Sequence, residues 1–128
     1  MTQRLATRNR KLHQALGKFH NRKTEIDGIV FASALEARVY QRLKLIQKSG
    51  AISGLRLQVP FVLVDGFTDS NGKRWLPTKY LADFVYEEKG VTVAVDSKSA
   101  GTMTRVFAIK RKLFLSRYPK IRFEVVTE

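Results

Sequence analysis

KYLADFVYEEKGVTVAVDSK, residues 79–98, contains two runs rich in β-branched and aromatic residues, separated by a charged segment that ends in glycine. Such runs on either side of a short polar turn are typical of an antiparallel hairpin. In the second run, residues alternate between two faces, so that Asp96 and Lys98 share one face at the end of the strand. Asp83 comes near Asp96 if the charged segment is the turn. The stretch therefore predicts a hairpin that brings two carboxylates and an amine together.

The segments around this hairpin complete an α/β pattern. The predicted elements are a helix from Ser33 to about Lys48, a strand over residues 55–64, the two hairpin strands, a helix from Gly101 to about Arg117, and a strand over residues 121–126. Pro60 suggests that the first strand lies at an edge or contains a bulge. The order helix, three strands, helix, strand predicts a mixed four-stranded sheet with helices packed on it.

Each predicted helix has a set of apolar residues that is expected to face the sheet, and on the first helix they recur at spacings of three and four. On the first helix the stripe is Leu35, Val39, Leu43 and Ile46. On the second helix it is Val106, Ile109, Leu113 and Leu115, and the three consecutive cations from Lys110 to Lys112 are expected to be exposed.

Length and composition predict one folded domain. The chain has 128 residues, of which 44% are hydrophobic, enough for a core. No run of about 20 apolar residues is present, so no membrane span is expected, and the first residues do not resemble a secretory signal. The sequence contains no cysteine, which excludes disulfides and thiolate zinc sites and makes a reducing cytoplasm the expected compartment.

The charge balance predicts a polyanionic partner. Lysine and arginine number 24 against 11 aspartates and glutamates, giving a net charge of +13, and a domain this basic usually binds nucleic acid. Membrane surfaces and acidic proteins are alternatives. Residues 1–23 form a predicted basic arm and residues 24–128 the folded domain. The cations of the arm are Arg4, Arg8, Arg10, Lys11, Lys18, Arg22 and Lys23.

Three acids and one lysine are candidates for chemistry. Asp83 and Asp96 form a pair of oxygen ligands suited to Mg²⁺, and Lys98 is placed to act on water. Simpler alternatives remain open: Asp83 as a solvated strand residue, and Asp96 with Lys98 as a surface ion pair of little energetic value. Glu36 ends a Ser33-x-x-Glu36 pattern that is also typical of a helix cap.

This ordered set resembles the PD-(D/E)xK pattern of a large nuclease superfamily, which includes many restriction enzymes and several Holliday-junction resolvases. Asp83 matches the first aspartate of the pattern, although Ala82 stands in place of the proline, and Asp96-Ser97-Lys98 matches the D-x-K. The segment SALEARVYQRL around Glu36 resembles the helix whose glutamate completes such sites. From Lys23 to Val126 the chain is similar to short phage-type endonucleases related to junction resolvases.

The resemblance implies a restriction-endonuclease-like core, with a mixed four-stranded sheet flanked by helices in the order αβββαβ. It implies that Mg²⁺, which Mn²⁺ is able to replace, is held by Asp83, Asp96, the backbone carbonyl of Ser97, and Glu36. Lys98 would orient or deprotonate the attacking water. The implied activity is hydrolysis of DNA phosphodiester bonds, selective for branched DNA such as a Holliday junction, and the implied assembly is a homodimer.

Five further residues are expected to contact DNA, and each is equally an ordinary exposed polar side chain: Gln58, Lys79, Lys110, Arg111 and Lys112. Two other functions stay open. One is a non-catalytic or architectural DNA-binding protein on a nuclease fold, and the other is a nicking or restriction-like endonuclease. The intact set of acids favours catalysis, because carboxylates beside phosphate repel DNA unless a metal is bound.

Overall fold

The structure, a computed structural model, describes residues 23–99 and 102–128. Its elements in chain order are β1 (Thr24–Ile26), β2 (Ile29–Phe31), α1 (Ala34–Lys48), β3 (Ser53–Val64), β4 (Phe67–Thr68), β5 (Arg74–Trp75), β6 (Thr78–Glu88), β7 (Val91–Lys98), α2 (Arg105–Arg117) and β8 (Arg122–Thr127). Neither of the two described helices is long and apolar enough to cross a lipid bilayer.

A four-stranded sheet in the order β3-β6-β7-β8 organises the fold. β6 pairs with β3 and with β7 in antiparallel fashion, and β8 runs parallel to β7 after the α2 crossover. The predicted α/β class, with a mixed sheet and the order αβββαβ, is confirmed. Two short hairpins, β1–β2 and β4–β5, are additions to this core.

The hairpin between β6 and β7 turns where the sequence predicts. Only Lys89 and Gly90 separate the two strands, and both have positive φ angles, 51° and 81°. Positive φ at both central residues is the requirement of a type I′ turn, whose twist matches that of the flanking strands. The tight turn fixes the register, with Phe84 opposite Val95, and so sets Asp83 across from the end of β7.

The sheet carries a hydrophobic core on each face. Phe84 and Val95 contribute to the core beneath α1, whereas Val85 and Ala94 contribute to the core beneath α2. Consecutive residues of a strand point to opposite faces, which explains why three successive residues in the middle of each strand, 84–86 in β6 and 93–95 in β7, are all apolar and buried. Central strands buried on both sides hold the end of β7 in place.

β3 changes faces at Gln58. Leu57 packs against the core beneath α1, but Val59, which the alternation of a regular strand would put on the same face, packs against the core beneath α2. Gln58 has a φ of 54°, a left-handed conformation that reorients the chain between them. β3 is an edge strand, where Pro60 needs no ladder hydrogen bond; the predicted edge position is confirmed.

The predicted buried stripe is confirmed on α1, but on α2 it is wrong for three of its four residues. Leu35, Val39 and Leu43 are buried on α1, and Ile46 packs against the same core. On α2 the buried residues are Phe107 and Phe114, and Leu113 is half-buried, whereas Val106, Ile109 and Leu115 are 62%, 60% and 45% exposed. α2 carries two apolar stripes, and the aromatic one buries more surface against the sheet.

The start of α2 also differs from the prediction. The helix begins at Arg105 rather than at Gly101, because the hydroxyl of Thr104 accepts a hydrogen bond from the backbone N–H of Phe107 at 3.1 Å. A threonine in this position satisfies one of the free N–H groups of the first turn.

Candidate active site

The four predicted catalytic residues line one cleft. It has a volume of about 480 Å³ and lies where the first turn of α1, the middle of β6, the end of β7 and the first turns of α2 meet. Glu36 enters it from α1, Asp83 from β6, and Asp96 and Lys98 from β7. Residues up to 62 positions apart in the sequence, from Glu36 to Lys98, are thereby brought into a single site.

Asp96 is the buried centre of the site. It is only 4% exposed, and its Oδ1 accepts a hydrogen bond of 2.6 Å from the hydroxyl of Tyr80. Burial, followed by the contact with Asp96, raises the pKa of Tyr80, so the phenol remains a donor. Oδ2 makes an ion pair with Nζ of Lys98 at 3.1 Å, although the geometry gives it no hydrogen bond.

Lys98 is held between a carboxylate and an aromatic ring. Its side chain is 21% exposed, and its Nζ lies 4.2 Å from the centroid of the Phe107 ring. A cation over an aromatic face is attracted by the ring quadrupole, more strongly where water is excluded. The alternative that Asp96 and Lys98 form an exposed surface ion pair is therefore wrong.

Asp83 is held in place by hydrogen bonds from Ser97, the residue after Asp96. Its Oδ2 accepts two hydrogen bonds of 2.8 Å, one from the backbone N–H of Ser97 and one from the Ser97 hydroxyl. Burial raises the pKa of Asp83, and these two bonds oppose the rise. Because both bonds use Oδ2, Oδ1 is left for another ligand. The predicted metal contact of the Ser97 carbonyl stays a prediction.

Glu36 contributes its backbone N–H to the cap of α1, and its side chain lies in the cleft; its predicted role in metal binding stays a prediction. Its backbone N–H donates to Oγ of the N-cap residue Ser33 at 3.1 Å, while its side chain lines the cleft and accepts a hydrogen bond of 3.0 Å from Nε2 of Gln58. Burial, then the charges of Asp83 and Asp96, raises the pKa of Glu36 to about 7. A carboxylate with this pKa is crowded by negative charge.

The residues present fit a hard divalent cation. All three acids offer carboxylate oxygens, the ligands that Mg²⁺ and Mn²⁺ prefer, and Oδ2 of Asp96, which accepts no hydrogen bond, keeps lone pairs for such an ion beside its ion pair with Lys98. Among residues 23–99 and 102–128, no three acidic, histidine or cysteine side chains form a ready-made metal cage. Mg²⁺ does not need one, since it usually binds one or two carboxylates together with water and substrate phosphate.

The predicted DNA-contacting residues fall into separate groups. Gln58 and Lys110 line the cleft. Arg111 is half-buried, with its guanidinium 5.5 Å from the centroid of the Phe107 ring. Lys79, Lys112 and Lys23 are exposed, and Lys79 is not among the residues that line the cleft. The remaining predicted residues lie outside the described part of the chain: Arg4, Arg8, Arg10, Lys11, Lys18 and Arg22.

Sequence reasoning missed three participants, namely Tyr80, Phe107 and the hydroxyl of Ser97. The signal for Tyr80 was present: it precedes Asp83 by three residues in a strand that pairs with the strand of Asp96, so its hydroxyl could have been placed near that carboxylate. Phe107 was not predicted because the neighbouring residues Val106 and Ile109 suggested a different buried side for α2. The Ser97 hydroxyl depends on the local geometry at the end of β7, which the residue pattern does not contain.

The cleft, with three acids and a half-buried lysine on an α/β core, defines a class of site suited to metal-assisted chemistry. The chain belongs to a protein family described as "Protein of unknown function (DUF1064)", whose sequence profile matches residues 16–128. A comparison with curated proteins found no match. The matched region includes every residue of the candidate site.

Proposed function

We propose that this protein is a Mg²⁺-dependent endonuclease that hydrolyses phosphodiester bonds in DNA. One observation carries the proposal: the buried Oδ2 of Asp96 makes an ion pair with Nζ of Lys98 at 3.1 Å but accepts no hydrogen bond, in a cleft shared with Asp83 and Glu36. An ionised carboxylate oxygen of this kind keeps lone pairs that a hard cation can take up. Mn²⁺ is expected to replace Mg²⁺ because the ligands are hard oxygens.

The acids would hold the ion, and the hydrogen bonds that Asp96 and Asp83 accept from Tyr80 and Ser97 orient their carboxylates. Asp96 offers Oδ2 while Tyr80 holds Oδ1, and Asp83 offers Oδ1 while Ser97 holds Oδ2. Glu36, in the first turn of α1, would supply a third carboxylate, bound to the ion either directly or through a water molecule. When bound, Mg²⁺ neutralises charge on the phosphate and acidifies nearby water.

Lys98 is the residue that acts on the attacking water. An ammonium group has three N–H donors. Oδ2 of Asp96 and the centroid of the Phe107 ring lie 3.1 Å and 4.2 Å from Nζ, and the side chain is 21% exposed and lines the cleft. An N–H group of Lys98 that points into the cleft would hold a water molecule or a phosphate oxygen close to Asp96. Positioning of this kind is a large part of catalysis in phosphoryl transfer.

The substrate class follows from charge. A net charge of +13 supplies non-specific attraction to DNA, and Lys110 extends a cation along the wall of the cleft. The resemblance to junction resolvases favours branched DNA as the preferred substrate, cut by a homodimer in the cytoplasm. A non-catalytic DNA-binding protein, and a nicking enzyme acting on linear DNA, are the alternatives that a cleavage assay separates.

The test is cleavage of labelled linear, forked, single-stranded and four-way DNA with Mg²⁺, Mn²⁺ or EDTA. The proposal expects metal-dependent cutting that is fastest on branched DNA. Asp96→Ala and Lys98→Ala should abolish cutting while leaving DNA binding nearly unchanged, because the affinity comes from cations elsewhere. Binding without cutting under all conditions would support the non-catalytic alternative.

Matched variants control for charge and folding. Asp65→Ala removes an exposed acid that pairs with Arg117 at 2.9 Å, and Lys120→Ala removes an exposed lysine. Neither residue lines the cleft, so both variants should cut at the wild-type rate. Equal losses in the control and site variants would point to a general effect of charge and would contradict the proposed roles.

A further inference from the structure

The β4–β5 hairpin presents two aromatic rings to solvent. Phe67 and Trp75 face each other across the two strands, with their ring centroids 6.3 Å apart and their planes inclined by 18°. Phe67 is 48% exposed and Trp75 is 43% exposed. Every other aromatic side chain in residues 23–99 and 102–128 is buried or half-buried. We call Phe67 and Trp75 the aromatic pair.

The hydrophobic core does not use the aromatic pair. Within the described sheets, the two strands of the hairpin pair only with each other. Neither Phe67 nor Trp75 belongs to the core beneath α1 or to the core beneath α2. A cross-strand aromatic pair does stabilise its own hairpin modestly, but that contact uses only the facing sides of the rings and leaves much of each side chain in water.

Asp69 sets the shape of the hairpin and the orientation of the indole ring. Its Oδ1 accepts hydrogen bonds of 2.8 Å and 3.0 Å from the backbone N–H groups of Asn71 and Lys73, and its Oδ2 accepts one of 2.9 Å from Nε1 of Trp75. The ring is thus held at its polar edge. A surface that is already ordered loses less conformational entropy when a ligand binds to it.

The charges beside the rings suit a ligand that carries both a flat group and an anion. Nζ of Lys73 lies 3.9 Å from the centroid of the Trp75 ring. The two acids of residues 65–77 are engaged within the protein, Asp69 by the bonds above and Asp65 by an ion pair with Arg117 at 2.9 Å. A nucleotide combines a flat base with a phosphate, and the hairpin combines exposed ring surface with an ammonium group beside it.

The aromatic character of the pair distinguishes it from the other apolar positions on the surface. Leu45 and Leu115 are 70% and 45% exposed, but an aliphatic side chain lacks the π surface on which a base stacks. Every base has a π face, so stacking on aromatic rings tolerates any sequence. Bases within a duplex already stack on one another, and only unpaired bases are free to contact the rings.

The hairpin leads directly into β6, the strand that carries Asp83. Trp75 ends β5 three residues before Thr78, where β6 begins, and Asp83 follows five residues later. Five residues of a β-strand span about 17 Å, a distance that about five stacked nucleotides cover at 3.4 Å each. One DNA strand is therefore long enough to contact the rings and to place a phosphate in the cleft.

We propose that the aromatic pair stacks on unpaired bases of the DNA strand whose phosphate occupies the cleft. The β4–β5 hairpin is then a binding site for single-stranded DNA without sequence preference. The choice of DNA as the ligand rests on the endonuclease function proposed above, whereas the stacking itself needs neither metal nor cleavage.

The first test uses the fluorescence of Trp75, the single tryptophan of the chain. Binding is measured in EDTA with an oligothymidylate and with an abasic strand of the same length, which keeps the phosphates but lacks the bases. The oligothymidylate should quench the emission of Trp75, because a base lies against the indole ring. The abasic strand should bind at low salt with little quenching. Equal quenching by both strands, or quenching by neither, would overturn the inference.

The second test compares the affinities of variants for the same two strands. Phe67→Ala/Trp75→Ala should weaken binding of the oligothymidylate by about 5- to 150-fold for each base that stacks, and should leave binding of the abasic strand unchanged. The control, Leu45→Ala/Leu115→Ala, removes two exposed apolar side chains that line neither the hairpin nor the cleft. It should bind both strands as the wild type does.

A third variant separates stacking from the integrity of the hairpin. Trp75→Phe loses the hydrogen bond to Asp69 but keeps a ring, so Phe67→Tyr/Trp75→Phe should retain wild-type affinity for the oligothymidylate. A loss in this variant, an equal loss of both strands in the alanine variant, or no loss in the alanine variant would each overturn the inference. A lower sedimentation mass of the alanine variant with unchanged DNA affinity would instead assign the aromatic pair to an interface between copies of the chain.

Neither test uses cleavage, so the outcome is distinct from that of the endonuclease proposal. If Mg²⁺ produces no cutting but the quenching depends on bases, the stacking site stands and the catalytic proposal fails. If cutting is observed without base-dependent quenching, the reverse holds.

Discussion

The buried carboxylate of Asp96 is oriented by the protein in a way that suits the proposed binding of a cation. Its two oxygens have different surroundings: Oδ1 is bonded to the Tyr80 hydroxyl, whereas Oδ2 faces Lys98 without a hydrogen bond. If both oxygens accepted hydrogen bonds within the protein, a metal ion would have to displace one of the donors. If neither oxygen accepted a hydrogen bond, the carboxylate would be free to rotate. Tyr80 therefore acts as a positioning residue for the proposed metal ligand.

Removing the Tyr80 hydroxyl should weaken metal use while leaving the fold intact. Tyr80→Phe keeps the ring contacts with Phe114 and Phe123 but frees Oδ1 of Asp96. Residues that orient metal ligands typically change metal affinity or activity by about 10–100-fold. The Mn²⁺ concentration that gives half-maximal cleavage should rise by a factor in this range. Tyr118→Phe, which removes a hydrogen bond to the Val62 carbonyl outside the cleft, is the control and should behave as wild type.

Glu36 provides a pH-dependent signature of the crowded acids. Its folded-state pKa of about 7 lies above the ordinary value of 4.5, owing to burial and then to Asp83 and Asp96. Between these values the folded state binds the proton more tightly than the unfolded state. By linkage, the free energy of unfolding therefore falls as pH rises from 4.5 to about 7.

Glu36→Gln should remove part of this dependence. A shift of this size corresponds to about 1–2 kcal/mol once screening by solvent is allowed for. Urea unfolding of the wild type and the variant at pH 5 and pH 8, without metal, measures the difference. The variant should gain relative to the wild type at the higher pH. An identical pH difference in both proteins would show that the fold does not raise the pKa of Glu36, whether by burial or by the charges of Asp83 and Asp96.

At the scale of elements, the sequence predicts regular segments well and their relative orientation less well. The bounds of β7 and the buried stripe of α1 follow from residue alternation and helical spacing, which local sequence carries. The buried side of α2 could not be read in this way, because Phe107 and Val106 begin two competing stripes and only the sheet beneath decides between them. The face change at Gln58 is likewise a tertiary effect in a strand whose pattern looks regular.

For the candidate site, too, local sequence patterns predict proximity within a strand or hairpin but not contacts that depend on how separate elements pack. Asp96 and Lys98 share a face of one strand, so their proximity follows from the period of a β-strand. The approach of Asp83 follows from the turn at Lys89-Gly90. The hydrogen bond from Gln58 to Glu36 depends on how β3 and α1 pack, which no local pattern encodes.

Two residues with left-handed backbones should respond differently to substitution. Lys89 has a φ of 51° in the β6–β7 turn, and Gln58 has a φ of 54° in β3. Left-handed geometry disfavours most side chains by about 1–2 kcal/mol. Lys89→Asn gives the Asn-Gly pair that type I′ turns prefer, so it should stabilise the fold by about 0.5–1 kcal/mol without altering cleavage.

Gln58→Gly relieves the same backbone strain but removes the hydrogen bond to Glu36. Its stability should stay within about 1 kcal/mol of wild type because the two effects oppose each other, while cleavage should fall. Chemical unfolding and single-turnover cleavage of both variants provide the comparison. Wild-type cleavage by the glycine variant would mean that the conformation of Gln58 serves only the path of β3.

The whole molecule combines a strongly basic surface with one acidic cleft. A net charge of +13 would favour long-range attraction of DNA, whereas the cleft gathers three carboxylates at one point. This distribution suits a protein that needs metal at one point and phosphate contacts over the rest of its surface. If the protein cuts branched DNA as proposed, two strands must be cut, whereas residues 23–99 and 102–128 form one cleft with this set of acids.

A two-fold homodimer is the closed arrangement that supplies a second cleft, and twofold dimers are the commonest oligomers. The candidate surfaces are the open edge of β3, which pairs only with β6 within the described sheet, and the segment through Phe31. Sedimentation at micromolar protein and moderate salt should give a mass near twice 14.6 kDa. With four-way DNA present, two chains should bind each junction. A monomer under both conditions would leave nicking of one strand at a time as the reaction that a single cleft can perform.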